Sequence, residues 1–225
     1  MINIAFYNIN WQYRNTERCF IGSIRKHMPN AHIIQLSDRE TTEVDGVDEV
    51  IRERRLFARS KNNVHYEGYR LLSELDVDEL MFVDMDFIFN DSVEHLFDGD
   101  FEVSLCDKRG PGCGIRTHQI ERYPYLGVIV TKTKAFWKDC YKYMLGFEKK
   151  RWPDNMEAVA KVVDSDKYKV KFLDGSVYNK SPRSKDDYNP DVKIYHFKGS
   201  KKVDRKEWME DFYNKYIMGK QLNAA

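Results

Sequence analysis

The chain has 225 residues, enough for one domain with a sizeable core, and 14% of them are aromatic, which excludes a disordered protein. Thirty-seven Lys+Arg against 36 Asp+Glu leave a net charge of +1, which excludes a surface built throughout for polyanions. The positive charge is local instead. Residues 132–152 hold seven Lys/Arg against two acids and residues 193–206 hold six against one. Such stretches suit either a solvated helix face or the lining of a site for a phosphate-bearing ligand.

Residues 2–7 read as a first strand, 11–28 as a helix ended by Pro29-Asn30, and 32–36 as a second strand closed by Ser37-Asp38. Strand, helix and strand in so short a span form a βαβ unit and imply a parallel sheet. Residues 47–52 follow as a short strand and 61–75 as a helix with Val64, Tyr69, Leu72 and Leu75 facing the core. Residues 81–89 are apolar at seven of nine positions and bounded by Asp78-Glu79 and Asn90-Asp91, the pattern of one buried strand. Ser92 opens a short helix to residue 97, with Glu94 in its first turn. Residues 101–106 and 125–131 are strands. Between them, 107–123 is a Gly- and charge-rich loop, long enough to carry function.

The spacing then predicts a helix over 134–147, with Phe136, Trp137, Cys140, Tyr141 and Met144 on its apolar side, and another over 155–164. Strands at 170–173 and 192–197 flank a polar loop, 179–190. Trp208, Met209, Phe212, Tyr213, Tyr216 and Ile217 recur at helical spacing and dock a last helix on the body. The class is α/β with a mostly parallel central sheet. Its organisation is a single domain over 1–203 with a docked helix over 204–225. Cys19, Cys106, Cys113 and Cys140 are scattered, and the spacing of Cys106, Cys113 and His118 fits no common zinc site. Reduced thiols, a first strand in place of a signal peptide and no apolar stretch of the ~18 residues a span requires point to the cytoplasm and to no membrane span.

Two stretches carry chemistry. Asp84 and Asp86 sit inside the apolar run, two positions apart, so they share one face of the strand. Burying an isolated charge costs several kcal/mol or more, so these acids belong at the strand's C-terminal end, where open α/β sheets bind ligands. Two hard oxygen donors suit Mg²⁺ or Mn²⁺; a pair of capping acids is the plainer alternative. The second stretch is Ile194-Tyr195-His196-Phe197-Lys198-Gly199-Ser200-Lys201-Lys202. A strand there ends in an imidazole, a glycine admits close approach of a ligand, and ammonium groups suit phosphate.

In this order the features resemble those of the GT-A-fold, metal-dependent nucleotide-sugar glycosyltransferases, particularly the glycogenin and lipopolysaccharide galactosyltransferase type (family 8-like). Asp84-Met85-Asp86 looks like that family's Asp-x-Asp motif, and His196, Gly199 and Lys202 match its terminal His-x-x-Gly-x-x-Lys. The resemblance implies a single GT-A-like, Rossmann-like domain and transfer of a sugar, with retention, from a nucleotide diphosphate, a UDP-sugar, to an acceptor hydroxyl. It implies Asp84, Asp86 and His196 as ligands of Mn²⁺ or Mg²⁺, and Gly199 and Lys202 on the diphosphate. Asp84, Arg59 and the strand end Tyr7-Asn8 would meet the donor, while Asp154 and Asp107 would lie near the sugar and acceptor. The acceptor is a saccharide, a protein or a modified base in phage DNA. The chain departs from the family where Tyr125-Leu126-Gly127 replaces Asn-Ser-Gly, Asp154-Asn155 replaces Asp-Gln, Asn8 replaces an acid, and Val203 replaces Pro-Trp.

Three rival readings stand beside it; one, a sugar nucleotidyltransferase, shares the fold class but needs a Gly-rich loop after the first strand, and residues 8–15 hold no Gly. A haloacid-dehalogenase-type phosphatase also places Asp-x-Asp after an apolar strand, but its nucleophilic Asp usually begins the chain, and here 83 residues precede Asp84. A nucleotide-sugar binding protein without transfer is the non-enzymatic one.

Overall fold

The structure, a computed structural model, describes residues 2–9, 14–53, 61–106, 127–151, 154–198 and 206–219. Apolar residues on both faces of its strands build a sheet buried from two sides. In β1 (Asn3–Asn8), Ile4 and Phe6 face one core while Ala5 faces the other. In β4 (Leu80–Val83), Met81 and Val83 face the first core and Leu80 and Phe82 the second. Strands covered twice cannot alternate polar and apolar, and this is the signature of a sheet with helices on both sides.

β2 (His32–Ser37) lies parallel to β1 on one side, and β4 lies parallel to it on the other. β3 (Glu49–Arg52) extends the sheet beyond β2. Past β4 come β7 (Val128–Thr131), antiparallel to both neighbours, then β6 (Val103–Cys106) and β8 (Val170–Leu173), giving the order β3-β2-β1-β4-β7-β6-β8. The chain leaves β1 toward β2 and returns on its other side at β4, so the strand order reverses between β1 and β4. Open α/β sheets form their crevice outside the carboxyl ends of the strands at such a point.

Helices α1 (Arg14–His27) and α6 (Lys206–Phe212) pack on the first face, the second continuing through a wider turn at Tyr213–Ile217. Met209, Phe212, Tyr213 and Ile217 bury there, as their helical spacing requires. Helices α2 (Lys61–Glu74), α3 (Ala135–Leu145) and α4 (Asp154–Val163) cover the second face, where Tyr69, Phe82, Phe136 and Trp137 meet edge to face. Cys19, Cys106 and Cys140 are buried. No helix of the described residues is long and apolar enough to cross a membrane.

The structure corrects the sequence reading at three places. The run 81–89 is two strands: β4 ends at Val83, a turn holds Asp84–Asp86, and β5 (Phe87–Phe89) leaves the main sheet. The physical reason lies in the two carboxylates, which a strand buried on both faces would desolvate. The short helix after it is a 3-10 turn, Glu94–Phe97, preceded by Val93, with Ser92 Oγ accepting from the Glu94 amide at 3.4 Å. A one-turn helix, α5 (Gly175–Tyr178), follows β8, capped by Asp174 accepting from the Ser176 amide at 2.8 Å. The loop 107–123 lies outside the described residues.

Candidate functional site

The turn at Asp84–Asp86 sits at the carboxyl end of β4, at the strand-order reversal. Beyond it β5 pairs antiparallel with β9 (Ile194–His196), with Phe87 opposite His196. The ladder continues in both directions, from Asn90 N to Lys193 O at 2.8 Å and from Phe197 N to Asp86 O at 2.7 Å. This small ribbon brings the late imidazole to the mid-chain acids. Asp86 Oδ1 lies 3.4 Å from His196 Nε2, and ligand atoms of Asp84, Asp86 and His196 all fall within 4.8 Å of one another. Their exposure is small but not nil, 15% for the Asp86 side chain and 10% for that of His196. Two anionic oxygens and an imidazole nitrogen at this separation fit a hard divalent cation.

The imidazole is held on two further sides. Phe87 stacks on its face, with centroids 4.2 Å apart and planes 25° from parallel. Asn179 Oδ1 lies 2.8 Å from Nδ1. Behind Phe87 is Gly127, where an added Cβ would come within 2.3 Å of Phe87 Cζ. The glycine of Tyr125-Leu126-Gly127 thus has a packing reason independent of any ligand; Tyr125 and Leu126 lie outside the described residues.

At the end of β1, Tyr7 points toward the second face, where Gly68 of α2 leaves room for its ring. Tyr7 Oη lies 2.7 Å from His65 Nδ1, and Asn155 Nδ2 is 3.2 Å from the same nitrogen. Burial, and then the nearby Asp84 charge, push the Tyr7 phenol well above its ordinary range. Burial also lowers His65 from 6.5 to about 4, so the ring is neutral at physiological pH. Asn8, buried, turns its amide to Glu17 of α1 at 2.8 Å.

Asp154 is fully buried at the start of α4, and its own chain engages both of its oxygens. One accepts from Tyr66 Oη at 2.7 Å and from the Arg151 amide at 2.6 Å; the other accepts from Arg151 Nε at 2.9 Å. Arg59, Asp107, Gly199 and Lys202 lie outside the described residues. The basic segment before α4 divides. Lys134 pairs with Asp76 and Arg151 with Asp154 and Glu157, whereas Lys138, Lys142 and Lys149 face solvent. Sequence reasoning missed Asn179, Tyr66 and the Tyr7–His65–Asn155 contact. Only the first left a local signal, the Asp174-Gly175-Ser176 cap three to five residues ahead.

No protein-family model matches the chain, and no curated protein matches it in sequence. Solved structures match its fold. An active-site mutant of LgtC superposes with a TM-score of 0.60 at 15% identity, covering 95% of this chain and 96% of that one. The galactosyltransferase LgtC in complex with donor and acceptor sugar analogues gives 0.59 at 14% identity, over 96% of each chain. GlyE, a glycosyltransferase of Streptococcus pneumoniae, gives 0.62 at 13%, over 97% of this chain and 64% of that one. Identities this low establish the architecture: the chain has the GT-A-type fold of these glycosyltransferases.

Proposed function

We propose that the protein transfers a sugar from a nucleotide-diphosphate donor, a UDP-sugar, to an acceptor hydroxyl. The observation that carries the reading is the meeting of Asp84, Asp86 and His196 at the crevice of a GT-A-type fold. Asp84, Asp86 and His196 would hold Mn²⁺ or Mg²⁺, which supplies Lewis-acid neutralisation of the charge that builds on a departing diphosphate. These three side chains do electrostatic work and carry no proton in the reaction. Their confinement in a half-buried turn strengthens that work, because a water-poor site screens charge weakly.

The remaining roles follow from the resemblance. Gly199 and Lys202 meet the diphosphate, the ammonium acting as a point charge. Tyr7, at the strand end, and Arg59 are assigned to the donor by that resemblance. Asn8 lines the same strand end, although its amide is held by Glu17. Asp107 would serve the sugar and acceptor. Asp154 enters differently. With both oxygens engaged, it anchors the start of α4, and Asn155 with it, on the side where resemblance puts the sugar and acceptor. Transfer with retention and a saccharide acceptor are the forms that LgtC-like architecture supports best; a protein or a modified DNA base is the alternative acceptor, and a steep loss of DNA binding with salt would single out the last.

Thermal-shift measurements with a panel of nucleotide sugars, each with and without Mn²⁺, test the reading. One donor raising the melting temperature only when the cation is present is the expected result. Stabilisation by no donor under either condition would overturn it. Stabilisation without any turnover would leave a binding protein in place of an enzyme.

A further inference from the structure

The structure assigns Asn179 a task that rests on this reading: it sets which nitrogen of His196 faces the acids. We infer that Asn179 is a positioning residue for the cation site, acting through the imidazole. A neutral imidazole offers one N–H and one lone pair, and a cation takes the lone pair. Asn179 Oδ1, an acceptor, stands 2.8 Å from Nδ1 and therefore requires the proton there. The lone pair is then on Nε2, the atom 3.4 Å from Asp86 Oδ1.

The amide is placed before any ligand arrives. Asn179 closes α5, with its N–H on Gly175 O at 3.2 Å. The next residue, Lys180, is laced to β9 from both sides, donating to Ile194 O at 3.2 Å and accepting from His196 N at 2.9 Å. The same strand thus supplies the imidazole and fixes the amide that orients it. Phe87 sets the plane of the ring; Asn179 sets its rotation and tautomer. Groups that orient metal-bound histidines in this way are commonly worth roughly 10- to 100-fold in metal affinity.

Two measurements test this. In protein without metal, long-range ¹H–¹⁵N correlation of the His196 ring at a pH where it is neutral should show the proton on Nδ1. Asn179→Asp should keep it there, and Asn179→Leu should lose the preference. A wild-type proton on Nε2 would sink the inference. Mn²⁺ binding, followed by the electron paramagnetic resonance of the free ion, should be retained in Asn179→Asp. It should weaken roughly 10- to 100-fold in Asn179→Leu, with a metal-free melting temperature near wild type. Added to His196→Ala, Asn179→Leu should weaken binding no further. Unchanged affinity in Asn179→Leu, or an equal loss in both backgrounds, would overturn the assignment while leaving the metal reading intact. Wild-type protein that binds no Mn²⁺ removes both. Should Asn179→Leu not fold, Asn179→Ala takes its place, and the wild-type ring spectrum decides on its own.

Discussion

Asp86 and Asp154 are both carboxylates at the edge of a core, and they are surrounded in opposite ways. Asp154 is sealed from water, with Tyr66 and Arg151 donating three hydrogen bonds to its two oxygens. Asp86 keeps some exposure and is drawn close to a second acid and an imidazole. Like charges gathered in a turn repel, and a divalent cation held between them would offset the repulsion. A carboxylate sealed from water among its donors belongs to the scaffold. One gathered with its like belongs to a site.

Substitution should separate the two. Asp86→Ala should cut transfer by about a thousandfold or more, roughly 4 kcal/mol of barrier, with little change in melting temperature; a variant transferring at the wild-type rate would remove Asp86 from the site. Asp154→Ala should do the reverse. Leaving Tyr66 and Arg151 without their acceptor should cost roughly 2–4 kcal/mol in urea unfolding, and stability unchanged within error would break the comparison.

His65 belongs to the scaffold side as well. Its pKa is about 4 in the fold against 6.5 for a free imidazole. The unfolded chain therefore takes up the proton first as pH falls. The stability carried by the neutral ring is full above pH 6.5 and is lost between 6.5 and about 4. Over that window wild-type protein should lose roughly 2–3 kcal/mol more than His65→Gln; parallel curves would remove this role.

Gly127→Ala probes the border between the regions, because the methyl would displace the Phe87 ring that stacks on His196. A cost of about 1–3 kcal/mol is expected from overpacking, together with weaker Mn²⁺ binding. Loss of stability with unchanged binding would show that the stack does not position the imidazole. The smallest effect belongs to the surface. Arg18 and Glu210 join α1 to α6 through an exposed pair, and breaking it should cost under ~1 kcal/mol and leave transfer untouched.

Much of this was legible in the sequence. The βαβ pattern and the docked last helix were readable from apolar periodicity, and the gathering of Asp84, Asp86 and His196 from their residue types together with the family resemblance. The break in the run 81–89 was not. Periodicity sees nine residues as one strand, whereas the price of desolvating two acids decides where the strand stops. Asn179 was missed for another reason. It stands in a polar stretch that reads as loop, and its meaning arises only when Lys180 is laced to β9. Asp154 was read by its type, yet its role depends on Tyr66, 88 positions earlier.

The ribbon of β5 and β9 has a consequence for biosynthesis. Its two halves leave the ribosome more than a hundred residues apart, so the carboxylates emerge long before the imidazole that completes them. Contacts of such separation form late, after the loop-closure entropy has been overcome. Cation capture should accordingly report on the finished polypeptide and remain silent on nascent chains halted before the ninth strand.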